Sequence, residues 1–339
     1  YTTLFRSEPD ACTGAVPGRN VRRPAGLTIV RLRVSITGAT GFLGRRLVRA
    51  FADAGWTVRV LARRDPVAAV GDIAGLEVTP GDLEDKGALR ALCHGADVVI
   101  HAAGLVKARR DEDFHHVNAE GADRLARAAQ AVAPNTHVIL VSSLAAREPQ
   151  LSPYAASKRA GEVMMAARLG DRLTIVRPTA IYGPGDRETF ALFAAAALGW
   201  PQPVLHPKAC ITLVHVADVA QALLALAQRS PRSASVAICD DRPEGYSWAE
   251  LTVAAARAVG REPTTFRIPE SALKLAGVVS GLSRLSGRSS VLTPGKAREI
   301  LHRDWSVSPE ERGPAPAVVF PLVHGFTDTV AWARRAGWL

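Results

Sequence analysis

From Leu32 onward, six short apolar runs recur with a helically spaced stretch between most neighbours: LRVSIT, TVRVLA, GLEVTP, DVVIHAA, HVILVSS and LTIVRP. Most are apolar nearly throughout rather than alternating with polar residues, which predicts strands covered on both faces. Strands joined by helical crossovers lie parallel. The chain is therefore expected to be α/β, with a doubly wound parallel sheet over residues 31–180. Past residue 180 the alternation loosens. Gly and Pro gather in YGPGD and WPQPVLHP, and helical patterns such as SWAELTVAAARAVG and FTDTVAWARRAGWL take over. This predicts a smaller, mainly helical lobe over 181–339, with residues 211–240 packing back on the first domain. Residues 1–30 lack periodicity and an initiator Met, and are expected to be a disordered tail. Their first seven, YTTLFRS, read as a translated sequencing adapter, so natural translation is expected to start near Val30.

A formal charge of +10 would suit nucleic acid or an anionic surface. Only six of the 42 basic residues are lysine, however, and the arginines are scattered without runs or interleaved aromatics, so no nucleic-acid partner is expected. Four cysteines without CxxC spacing and nine histidines without ligand spacing point to neither disulfides nor metal. No apolar run reaches membrane-spanning length, and a cytoplasmic protein is expected. The segment at 271–288, apolar at helical spacing with a few basic residues, is read as a helix over the substrate pocket rather than one lying on a membrane surface.

Gly38, Gly41 and Gly44 stand between the first strand and the first helix. There a dinucleotide pyrophosphate can rest on free N-terminal amides, and glycine lets backbone approach phosphate. Small residues for close strand-to-helix packing would look the same. The second strand ends in VRVLARRDP: Ala62 offers no carboxylate for ribose hydroxyls, whereas Arg63 and Arg64 offer cations for a 2′-phosphate. NADP is therefore preferred to NAD, although Asp65 keeps a late carboxylate available.

Tyr154 and Lys158 fall four apart, on one face if SPYAASKRAGEVMM is helical. A free tyrosine titrates near about pH 10 and needs a neighbouring cation to work as an acid or base at neutral pH. Ser143, at the carboxyl end of the fifth strand, stands where open parallel sheets bind ligands. A surface helix and a polar strand end remain the plain alternatives.

Together these residues resemble the extended short-chain dehydrogenase/reductase family from about residue 31 to the C-terminus. The ordered motifs are TGATGFLG at 37–44, GDLED at 81–85, HAAG at 101–104, VSS at 141–143, YAASK at 154–158, RPTAIYGPGD at 177–186 and LVHVADVAQALL at 213–224. The resemblance implies a Rossmann-type NAD(P)-binding domain and a substrate-binding C-terminal lobe. It also implies that Gly38, Gly41, Phe42 and Leu43, with Gly44, hold the pyrophosphate. Asp82 and Leu83 would flank adenine, Ala102, Ala103 and Gly104 would pass beneath the adenosine half, and Pro178 would open a loop against the nicotinamide amide. Tyr154 would be the acid/base, Lys158 its tuning cation and a ribose ligand, and Ser143 the carbonyl-polarising hydroxyl. Asn118 would brace the sheet edge.

Sugar-nucleotide members carry an arginine and an aromatic Asp-Phe pair where this chain reads PKACITLVHV. The expected function is thus an NADP-preferring carbonyl reductase or alcohol dehydrogenase acting on a small molecule. The alternatives are a nucleotide-sugar epimerase/dehydratase that retains NAD, and a non-catalytic cofactor-binding scaffold. A homodimer through the helices carrying Asn118 and Tyr154 is the family's expectation.

Overall fold

The computed structural model describes residues 31–204, 209–230, 233–269, 271–272, 293–313 and 317–339. The expectations for the tail at 1–30 and for most of the 271–288 segment fall outside them. Residues 31–339 form one compact unit.

Seven parallel strands make the main sheet. The six read from sequence are β1 (Arg33–Thr37), β2 (Thr57–Ala62), β3 (Glu77–Pro80), β4 (Val98–His101), β5 (His137–Val141) and β6 (Leu173–Pro178). They run in the order β6-β5-β4-β1-β2-β3, and Ala234–Ile238 adds a seventh strand beside β6. The order reverses at β1, so the crossovers before and after it pass on opposite faces and leave a crevice at the carboxyl ends of β1 and β4. β4 and β5 are buried along their whole length, as strands covered on both faces must be.

Each face has its own core. On one, Leu47, Val48 and Phe51 of helix Phe42–Asp53 meet Val219 and Leu223 of helix Val216–Ala227 over Val34, Ile36 and Val60. On the other, helices Lys86–Cys93, Gly121–Val132 and Pro153–Leu169 bury Leu89, Leu92, Leu125, Ala129 and Met165 against Val99, Val138 and Leu140. Alanines line these helices where they press on one another, and their small side chains allow close approach.

Beyond residue 180 the chain builds a further core in which Tyr182, at the end of strand Ala180–Tyr182, meets Phe193, Leu251 and Phe326 from helices Phe190–Ala197, Trp248–Val259 and Leu322–Arg335. The segment 213–238 returns to the main sheet, through helix Val216–Ala227 on its face and strand Ala234–Ile238 at its edge.

Candidate active site

The turn after β1 is shaped by what cannot fit there. Gly38 has φ +74°, and a Cβ on it would stand 2.6 Å from the Ala103 amide nitrogen. A Cβ on Gly44 would lie 2.0 Å from the Gly38 carbonyl oxygen. Backbone is the obstacle in both cases, so no side-chain movement relieves it. Gly41 begins the helix with no side-chain cap, and its amide closes the turn on Gly38 O at 3.0 Å. Phe42 and Leu43, both half-buried, form the first residues of the helix. The result is a backbone cradle at an uncapped helix N-terminus, the arrangement that accommodates a pyrophosphate.

Beside the cradle a cleft of about 520 Å³ is lined by Thr40, Ala62, Arg63, Arg64 and Asp65. A second, of about 320 Å³, runs from Gly38 and Arg63 past Asp82 and Leu83 to Ala103 and Gly104. Asp82 spends one carboxylate oxygen on its own turn, accepting from the Glu84 and Asp85 amides at 2.9 and 3.3 Å. Ala102 and Ala103 are held to β1 through Thr37: Ala102 N donates to its carbonyl at 3.3 Å and Ala103 N to its hydroxyl at 3.2 Å. These groups suit a dinucleotide: a glycine cradle for phosphates, two exposed cations beside it and a cleft long enough for an adenosine. Pro178 ends β6 on the same sheet edge, buried and in register with Ile238.

Helix Pro153–Leu169 starts where Ser152 Oγ accepts from Ala155 N at 3.0 Å and Pro153 sets the first helical residue. Tyr154 sits in its first turn, with the Phe114 ring edge-on at 5.9 Å. Ser143, half-buried at the end of β5, hydrogen-bonds the Tyr154 side chain and accepts from Ala145 N at 3.2 Å. Desolvation pushes the Tyr154 hydroxyl up to about 12, opposed by the Ser143 bond and helped by the nearby Glu299 carboxylate. Lys158 is brought down to about 8 by desolvation, with Glu162 pulling the other way. Its Nζ donates to Val141 O at 2.9 Å. A Cβ on Gly104 would stand 3.4 Å from Nζ and 2.9 Å from Asn118 Oδ1, so this glycine leaves room for both.

Asn118 is buried in a π-helical turn, His115–Glu120, where it clasps Leu105 N and O at 2.7 and 3.0 Å and donates to Ser157 Oγ at 2.9 Å. It ties the loop after β4 to the tyrosine helix. The structure thus brings Tyr154, Lys158, Ser143 and Gly104 together at the carboxyl edge, and strings Arg63, Asp82 and Leu83 along the adjoining cleft.

Sequence reasoning missed a buried group behind the lysine. Glu162, 1% exposed, accepts from Ser142 Oγ at 2.6 Å and from Arg177 Nε and Nη2 at 2.8 and 2.6 Å. Its only sequence signal is a carboxylate one turn beyond Lys158, on the same helix face.

Residues 34–239 match the family model described as NAD dependent epimerase/dehydratase family. The chain is 49% identical over 307 residues to a ceramide reductase of Caulobacter vibrioides, covering 90% of this chain and 96% of that protein. It is 29% identical over 234 residues to a 4-hydroxy-2-methyl-3-oxo-4-farnesyl-3,4-dihydroquinoline-1-oxide ketoreductase of Stigmatella aurantiaca, covering 62% and 69% of the two chains. Its fold is shared with MoeE5, solved in complex with UDP-glucuronic acid and NAD, at a TM-score of 0.65, 22% identity and coverage of 90% of this chain and 99% of that one. Matched by that family model over residues 34–239 and by the ceramide reductase over nearly its whole length, the chain belongs to the NAD dependent epimerase/dehydratase family, as an NAD(P)-dependent oxidoreductase of the extended short-chain dehydrogenase/reductase type.

Proposed function

We propose that the protein is an NADP-preferring carbonyl reductase whose substrate is a ceramide-like lipid bearing a ketone, with Tyr154 as the proton donor. The observation that carries the chemistry is the meeting of Ser143 with Tyr154 one helical turn from Lys158. The substrate class rests on the 49% identity to a ceramide reductase across nearly the whole chain. When bound, NADPH supplies the hydride, two electrons and a hydrogen, to the carbonyl carbon.

The remaining work falls to the chain's own residues. Gly38, Gly41, Phe42, Leu43 and Gly44 hold the pyrophosphate on backbone amides. Arg63 pairs with the 2′-phosphate, Asp82 and Leu83 flank the adenine, and Ala102, Ala103 and Gly104 pass under the adenosine. Pro178 opens the loop against the nicotinamide. Ser143 donates to the substrate oxygen as negative charge builds on it, and Tyr154 passes its hydroxyl proton to that oxygen, completing the alcohol. Lys158, at about 8, carries positive charge at neutral pH and stabilises the tyrosinate left behind. Residues 181–339 form the substrate-binding lobe.

The test is turnover of a ceramide analogue carrying a ketone in place of one backbone hydroxyl, with NADPH and NADH compared. One NADPH consumed per alcohol formed supports the reading. Activity only on a nucleotide sugar without net cofactor consumption would replace it with an epimerase.

A further inference from the structure

The loop from Ser143 to Tyr154 is gripped by a distant part of the chain. Helix Pro294–Leu301 lies so close that a Cβ on Gly295 would stand 2.9 Å from Ser152 Cβ and 3.3 Å from Pro153 Cδ. Arg298 Nε donates to Leu151 O at 2.7 Å, and the Glu299 carboxylate accepts from the Ser152 hydroxyl. The Trp305 indole nitrogen donates to Glu299 O at 3.0 Å. At the other end of the loop, Arg147 donates to Asp304 O at 2.7 Å and Ser306 O at 2.8 Å, and its guanidinium lies 5.9 Å from the Trp305 ring. Residues 295–306 therefore close on both ends of the segment that carries the two hydroxyls.

Glu299 is the only one of these contacts to bring a carboxylate beside Tyr154. It is 8% exposed, and its counter-ion is Lys296 at 3.3 Å, whose side chain is about half exposed. The groups around the phenol are Ser143 from the loop, the Phe114 ring, Lys158 one turn along the same helix, and Glu299 from the clasping helix. Two of these carry charge of opposite sign. Lys158 favours tyrosinate; Glu299 disfavours it.

We propose that Glu299 is a positioning residue for reduction: through Ser152 it anchors the start of the tyrosine helix, and it sets a negative charge near the Tyr154 hydroxyl. This rests on the reading of Tyr154 as proton donor. Burial already holds that hydroxyl protonated. Reduction needs Tyr154 protonated and Lys158 charged, so its rate falls as pH rises through the first proton loss of the Tyr154–Lys158 pair. Removing a neighbouring negative charge makes either proton easier to lose.

The experiment is the pH profile of ketone reduction by the full chain, in wild type, Glu299→Gln and Lys296→Met. Tyrosinate ultraviolet absorption is read in parallel as the difference from Tyr154→Phe, which isolates one of only four tyrosines. Glu299→Gln keeps an acceptor for Ser152 and loses the charge. Its alkaline limb and its tyrosinate onset are expected to move down by roughly one pH unit or more, the size of one charge acting within about 12 Å at an effective dielectric of about 20. Lys296→Met, a surface change that spares the fold, leaves Glu299 without its counter-ion and is expected to move both upward. A uniformly lower rate in Glu299→Gln with neither readout displaced would overturn the proposal, leaving Glu299 a purely structural contact. If Glu299→Gln does not fold, Lys296→Met decides alone, and a limb that stays put or moves down refutes it. Full turnover by Tyr154→Phe would instead sink the proton-donor reading.

Discussion

Tyr154 is an improbable acid by itself, since burial drives its hydroxyl up to about 12. In the proposed reduction, a proton held that tightly is released only when charge appears on the substrate oxygen and Lys158 stands ready for the tyrosinate. Tyr154→Phe keeps the ring that packs on Phe114 and removes only the proton. Turnover should fall by about 10²–10⁴-fold while NADPH fluorescence titrations stay near wild type; equal loss of both would mark the residue as structural. Arg63→Ala should weaken NADPH binding and leave NADH binding nearly unchanged, as the same titration reads. Behind the lysine, Glu162 is a buried carboxylate with Arg177 against it. Glu162→Ala leaves Arg177 uncompensated and should cost about 3–5 kcal/mol, read as a lower urea midpoint. Tyr154, Lys158 and Ser143 were legible because their spacing and strand-end position carry meaning locally. Glu162 and Glu299 were not, because a charge in a helical stretch reads as solvated until the element that covers it is known, and Glu299 finds Ser152 across 147 residues.

At the level of elements, the glycine turn was legible for a related reason: it depends only on backbone passing backbone. Gly44→Ala would force a Cβ to within 2.0 Å of the Gly38 carbonyl, so strand and helix must separate. Loss of cofactor binding and a drop of several degrees in Tm are expected, since overpacking at this scale costs about 1–3 kcal/mol or more. The six strands β1 to β6 were legible because each is an apolar run ending in polar or turn residues. The seventh, Ala234–Ile238, reads ASVAI, and its burial is partial along half its length. A strand at a sheet edge with small side chains leaves little apolar pattern to read. The π-helical turn at His115–Glu120 was equally silent, since a one-residue widening of a helix leaves the 3.6-residue spacing nearly intact.

Part of the molecule's acid sensitivity lies inside the sheet. Burial, with a smaller contribution from the Lys158 charge, lowers His101 to about 3, and burial lowers His137 to about 4. The unfolded chain protonates both near pH 6.5, so stability is lost as pH falls below that value. Asp240, raised to about 6 by burial, works the other way between about pH 4 and 6, because there the fold holds a proton that the unfolded carboxylate releases. With His215 also lowered by burial, three histidines outweigh one carboxylate, and stability falls as pH falls over that range. Urea midpoints at pH 6.5 and 4.5 should show it, and His137→Asn should flatten it.

The clasp on the loop between Ser143 and Tyr154 also fixes an order of events during synthesis. Arg147 finds its partners 157 to 164 residues later in the chain, at Asp304, Ser306 and Glu311. At about 5–20 residues per second, the ribosome delivers those partners roughly ten to thirty seconds after Arg147 itself. For that interval the nascent sheet can form its first six strands with the loop between Ser143 and Tyr154 unsecured. The loop carrying Ser143 is thus fastened only after those distant residues have been made.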